Sequence, residues 1–165
     1  MNLRIFAVLG IAAFIVAGAF IYFEKPLAPE VNFTTLEGER LNTTALHGKV
    51  VLVNFWATTC STCIEKMPDL IETHKKFAER GLEIIAVAMD YDPETQVRAY
   101  AAKAALPFKV ALDTNGEIAL GFKDVRMTPM TFLIDRQGRI VHTYLGKPDF
   151  GALHVLLEKL LAKPA

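Results

Sequence analysis

A chain of 165 residues, 52% hydrophobic and 22% charged, is long enough to bury the core of one domain. Eighteen lysines and arginines balance eighteen aspartates and glutamates, which excludes the basic footprint of a nucleic-acid binder. Two cysteines leave a structural zinc site two ligands short, and His47, His74, His142 and His154 show no compact finger spacing.

The first element is the apolar run from Ile5 to Phe23, which as a helix reaches about 28 Å and matches the hydrocarbon core of a bilayer. Arg4 precedes it, Glu24, Lys25 and Pro26 follow it, and Phe20, Tyr22 and Phe23 are placed like an interfacial aromatic belt. Residues 1–26 are therefore expected to be a membrane anchor or uncleaved signal segment, with residues 27–165 forming the folded domain outside the cytoplasm. Ala17-Gly18-Ala19 resembles a small-residue cleavage site, so a soluble periplasmic domain freed from a signal peptide is the alternative. Either route leads to an oxidising compartment, where a lone pair of thiols drifts to the disulfide unless something reduces it.

Val31 to Gly48 reads as a short extended segment, a turn at Gly38 and a polar loop, leading into the apolar strand Val50 to Phe55. A helix follows. Met67, Leu70, Ile71, His74, Phe77 and Ala78 recur on its inward face, while Glu65, Lys66, Asp69, Glu72, Lys75, Lys76 and Glu79 are assigned to the other; Pro68 is expected to kink it. Leu82 to Met89 predicts a second strand, Pro93 to Ala105 a helix and Phe108 to Leu112 a third strand, an alternation that indicates parallel βαβ units. A short helix near Ile118 to Phe122 precedes a hairpin of Thr131 to Ile134 and Ile140 to Leu145 turned at Asp135-Arg-Gln-Gly138. The final helix, about Phe150 to Leu161, packs Leu153, Leu157, Leu160 and Leu161 inward.

The chemistry concentrates where the strand from Val50 ends, in Phe55-Trp-Ala-Thr-Thr-Cys60-Ser-Thr-Cys63. If a helix opens at Cys60, that thiol meets unsatisfied backbone N–H groups and the positive end of the helix dipole, which favour a thiolate. Lowering a thiol pKa from about 8.5 to about 7 raises its thiolate fraction at neutral pH roughly fifteenfold. Cys63, one turn on and facing inward, can then close the ring. Reversible disulfide chemistry is the reading; two reduced core cysteines are the plain alternative.

These residues, with Pro68 five positions after Cys63 and Val125-Arg-Met-Thr-Pro129-Met-Thr-Phe-Leu-Ile-Asp135, resemble the thioredoxin fold and its membrane-anchored TlpA/ResA-like branch over residues 30 to 162. The resemblance implies an α/β fold with a central mixed sheet flanked by helices, an N-terminal extended segment, and a strand–helix insertion between Leu82 and Ala105. It also implies a cis bond before Pro129 and a backbone at Thr128 that pairs with an extended substrate; Trp56 fits either an apolar lid beside the cysteines or plain packing at the strand end. Asn54 stands where cytoplasmic thioredoxins carry a buried acid. Lys66 stands where the branch often has a glutamate, three residues after the second cysteine. A residue at that spacing shares the face of Cys63, whereas Glu65 points away. Lys66 is accordingly expected either to modulate the pair electrostatically or to be an ordinary solvated charge.

The function implied is an extracytoplasmic protein thiol-disulfide oxidoreductase, working as a reductase of partner disulfides, with Cys60 as nucleophile and Cys63 resolving. No cofactor beyond the Cys60–Cys63 disulfide and no metal are expected, the chain is expected to be a monomer, and electrons would come from a membrane thiol donor of the DsbD/CcdA type. The alternatives are an oxidase of exported thiols, or a copper module using both cysteines with Met67, Met127 and Met130 as soft ligands.

Overall fold

The structure, a computed structural model, describes residues 25–163. The apolar run Ile5 to Phe23 lies outside the described residues, and among those described no helix is long and apolar enough to cross a membrane. Strands β1 (Asn32–Thr34) and β2 (Arg40–Asn42) form a small antiparallel hairpin. Strand β3 (Val50–Trp56) leads into helix α1 (Ser61–Phe77), followed by β4 (Leu82–Ala88), α2 (Glu94–Lys103) and β5 (Lys109–Leu112). The short helix α3 (Glu117–Gly121), the hairpin β6 (Met130–Ile134) and β7 (Ile140–Leu145), and α4 (Phe150–Leu161) complete the domain.

The main sheet has the order β5-β4-β3-β6-β7, with β3, β4 and β5 parallel and β6 and β7 antiparallel to their neighbours. Helices cover both faces of β3 and β4, so both strands are apolar at nearly every position rather than alternating. One side carries Val50, Leu52 and Trp56 against Cys63, Met67 and Leu70 of α1 and Leu153 and Leu157 of α4. The opposite side carries Val51, Val53 and Phe55, where Phe55, Phe122 and Phe132 meet at centroid distances of 5.0–5.9 Å.

The strand–helix unit expected as an insertion over Leu82 to Ala105 is divided differently. β4 is interior, hydrogen-bonded to β3 on one side and β5 on the other, and the edge addition is α2 with β5. The Asp135–Gly138 turn forms as the sequence suggests. Asp135 Oδ1 accepts hydrogen bonds from Gln137 N–H and Arg139 N–H, and Gly138 takes the positive φ of 76° that the turn needs.

Helix α1 runs through Pro68, and its buried positions are Cys63, Lys66, Met67, Leu70, Thr73 and Phe77. Met67, Leu70 and Phe77 keep the expected core stripe, and Lys66 is a correction to it: it belongs to the buried face, fully inaccessible, and not to the polar one. Thr73 also enters the core, its hydroxyl donating to Asp69 O and lying 2.9 Å from His154 Nε2. His74, by contrast, is only half-buried, its ring edge-on to Phe108.

Candidate active site

The carboxyl ends of β3 and β4 build the site. Leaving β3, the chain turns through Ala57-Thr58-Thr59 and enters α1 with Cys60 as its N-cap residue. Cys60 is partly exposed and Cys63, one turn later, is wholly buried; the two form a disulfide. Cys60 Sγ also accepts a hydrogen bond from Cys63 N–H at 3.2 Å, so the sulfur occupies the place where an oxygen usually satisfies the helix's first free donors. On reduction, the same N–H and the helix dipole stabilise negative charge on Cys60.

The loop before Cys60 is tied from the side. Thr58 N–H donates to Asp92 Oδ2 and the Thr58 hydroxyl to Asp92 Oδ1, both at 2.6 Å, and Asp92 is only 6% exposed in the turn after β4. Next to it, Tyr91 is exposed and its hydroxyl lies 3.4 Å from Thr128 Oγ1. The Thr128–Pro129 bond is cis. Because Phe55 pairs with Met130, Pro129 lies beside the end of β3 from which the chain enters the cysteine motif. Thr128 is half-buried, Pro129 is buried and its carbonyl accepts from Gly146 N–H.

Trp56 does not cover the pair from outside. It is fully buried, its ring tilted against Tyr100 at 5.3 Å and its Nε1 unpartnered among the described residues, so it supports the site from the core. Glu65 is a surface group, 3.8 Å from Lys147 Nζ.

Lys66 and Asn54 come together in a way the sequence did not disclose. The register Asn54↔Thr131 places both on the α1-facing side of the sheet. There Lys66 Nζ donates to Thr131 Oγ1 at 3.1 Å, and that hydroxyl donates to Asn54 Oδ1 at 3.1 Å. All three residues are fully buried. Burial pushes the Lys66 ammonium down to about 7, with no carboxylate bonded to it among the described residues. Asn54 Nδ2 remains a buried donor without a partner there.

The methionines named as soft ligands lie in three different settings. Met67 is buried with Cys63 on one side of the sheet, Met130 packs against the core of the other, and Met127 is 59% exposed. Thr58, Tyr91, Asp92 and Thr131 escaped the sequence reading. Asp92-Pro93 before a helix looks like a generic turn, and only the polar Thr131 inside an otherwise apolar strand gave any signal.

A vicinal cysteine pair at the head of a helix, with one sulfur accessible and the other buried, set into a thioredoxin fold, defines a thiol-disulfide oxidoreductase. Its motifs and fold are shared widely. The chain belongs to the Redoxin family, whose model matches residues 24–156. It is 36% identical over 133 residues to the thiol-disulfide oxidoreductase ResA of Bacillus cereus, covering 81% of this chain and 76% of that protein. With the ResA of Bacillus subtilis it shares 31% over 137 residues, or 83% and 74% of the two chains. The thioredoxin domain of a thiol-disulfide oxidoreductase from Bacteroides vulgatus superimposes with a TM-score of 0.72 at 26% identity, over 83% of this chain and 96% of that one. A thioredoxin family protein from Chlorobium tepidum gives 0.76 at 23% identity over 84% and 98%, which shows the shared fold.

Proposed function

We propose that this chain is an extracytoplasmic reductase of disulfides in partner proteins, held at the bacterial cytoplasmic membrane by its N-terminal apolar segment. The observation that carries the reading is the asymmetry of the pair: Cys60 partly exposed at the helix N-cap, Cys63 sealed behind it. Reduced Cys60 attacks a substrate disulfide as the thiolate, forming a mixed disulfide and releasing one substrate thiolate. Cys63 then attacks Cys60 Sγ, the second substrate thiolate leaves, and the Cys60–Cys63 disulfide closes, so the substrate gains the two electrons that the pair loses. The backbone at Thr128, held beside the site by the cis Pro129 turn, pairs with an extended substrate segment.

The reductive direction rests on the likeness to the TlpA/ResA-like branch, and the apolar run supports membrane attachment. The reading takes the domain as a monomer that needs no group beyond its own disulfide. A membrane thiol donor of the DsbD/CcdA type would restore the dithiol.

The test is the reduction potential of the soluble domain, equilibrated with glutathione or dithiothreitol and read by mass spectrometry. A value near or below about −250 mV supports a dedicated reductase; one near about −120 mV makes the protein an oxidant. In the same system Cys60→Ser should abolish turnover and Cys63→Ser should trap the mixed disulfide, and the converse pattern would reverse the two roles.

A further inference from the structure

Resolution of the mixed disulfide demands that Cys63, wholly buried, lose a proton before it can attack. Water reaches that sulfur poorly, so the acceptor should be a group already inside. Lys66 lies three residues along α1 from Cys63, on the same buried face, and helical side chains lean toward the N-terminus, here toward the turn that carries Cys63. Its Nζ is fixed by donation to Thr131 Oγ1, which is itself locked to Asn54 across β3 and β6. We propose that Lys66 is the base that takes the proton of Cys63 during resolution, with Thr131 as its positioning residue.

The proposal rests on the exchange reading above and adds the missing proton to it. The Cys63 thiol passes its proton to the neutral Lys66 amine, giving an ammonium and a thiolate. The thiolate forms the bond to Cys60 Sγ as the bond from Cys60 to the substrate sulfur breaks. The departing substrate thiolate takes a proton from water, and Lys66 returns its own when the pair is next reduced.

The surroundings suit an amine that changes charge. Burial alone lowers its pKa to about 7, so a large fraction is unprotonated at neutral pH with a lone pair free to accept. Among the described residues, the other titratable groups on this side of the sheet include Tyr100 of α2, Tyr144 and His142 of β7, His74 of α1 and His154 of α4, with the two cysteines themselves. Tyr100 and Tyr144 are pushed up and His74 and His154 pushed down, burial being the leading cause for each. The carboxylates of this part of α1, Glu65 and Asp69, are turned outward to Lys147. Asp149, beyond β7, caps α4 through Ala152 N–H.

The experiment follows the reduced domain with oxidised glutathione by rapid quench and mass spectrometry. The first phase, glutathionylation of Cys60, is separated from the second, loss of glutathione as Cys63 closes the ring. Expected is a second phase with an ascending pH limb near neutrality, which in Lys66→Met becomes roughly a hundredfold slower and loses that limb. Lys66→Arg, which keeps the charge but cannot accept a proton, should not rescue it. A second phase at the wild-type rate in folded Lys66→Met, or full rescue by Lys66→Arg, overturns the proposal. Should the core variants fail to fold, nitrogen-15 titration of Lys66 Nζ in the wild-type domain decides. A titration near neutrality that moves between reduced and oxidised protein supports the base, and an ammonium throughout overturns it. If no glutathione is captured at all, the exchange reading fails first, and visibly so.

Discussion

Two lysines near the start of α1 meet opposite environments. Lys147, reaching over from the loop after β7, is 40% exposed and places its Nζ 2.9 Å from Asp69 and 3.8 Å from Glu65. Its ammonium is held above the usual range, first by the hydrogen bond to Asp69. Lys66, on the inner side of the same turns, is fully buried and has one hydroxyl for a partner; its ammonium is pushed down to about 7. A lysine's environment here follows from which side of one helix it occupies. Outside, it is a solvated charge bridging two elements. Inside, it is an amine whose charge burial disfavours.

The sharpest way to break this contrast is to remove the buried member. Lys66→Met keeps the length and loses the polar end; replacement of buried ionic groups by well-packed apolar ones ranges from neutral to about 1–4 kcal/mol of stabilisation, and Lys66, with no counter-charge bonded to it among the described residues, should fall on the stabilising side. The pH dependence fixes the sign. Between about 7 and the ordinary value of 10.5 the unfolded chain holds a proton on Lys66 that the folded chain has released. Wild-type stability should therefore rise with pH through that window. Below it both states are protonated and the penalty is constant and largest, so the gain from Lys66→Met should be greatest near pH 6 and shrink as the pH is raised. Urea unfolding at several pH values reads this directly, and parallel profiles for the two proteins would mean that the ammonium is not buried at a cost.

Asp92 is the opposite case, a buried carboxyl group that does have its partners. Both carboxylate oxygens accept from Thr58, one from the backbone N–H and one from the hydroxyl. Asp92→Ala should destabilise by about 1–3 kcal/mol, opposite in sign to Lys66→Met, since it removes the acceptors that hold the loop before Cys60 and leaves the Thr58 N–H without its partner. The slackened loop should also lower the rate of Cys60 attack on oxidised glutathione. If stability falls while that rate does not, the tether serves folding alone.

The pattern of what could be read from the sequence follows from how far apart the interacting residues lie. The cysteine motif, the strand before it and the Asp135–Gly138 turn are local, each carried by a few neighbouring residues. Pro129 was found by its motif and not by its geometry. The Thr131–Asn54 bond joins residues 77 apart and the Asp92–Thr58 bond residues 34 apart, so both depend on strand order and register that composition does not encode. Lys66 is a different failure. Its spacing from Cys63 already put it on the face of that cysteine, while its place in the charged stripe of α1 came from treating lysines as surface residues, and the structure sides with the spacing. For Trp56 the sequence left lid and strand-end packing open, and its depth in the core, against Tyr100 of α2, agrees with the packing.

The smallest effect belongs to the outer lysine, and its smallness is informative. Lys147→Met removes an exposed ion pair to Asp69 and a longer one to Glu65, in a setting where solvent and salt screen the charges and holding two long side chains together costs entropy. The urea midpoint should stay within experimental error of the wild type, and the pH limb of the glutathione-release phase should not move. Raising the ionic strength should then make no difference between the two proteins. A shifted limb would show that surface charge on α1 reaches the buried sulfur through the helix. The pH response would in that case belong to the whole first two turns, and Lys66 would no longer account for it alone.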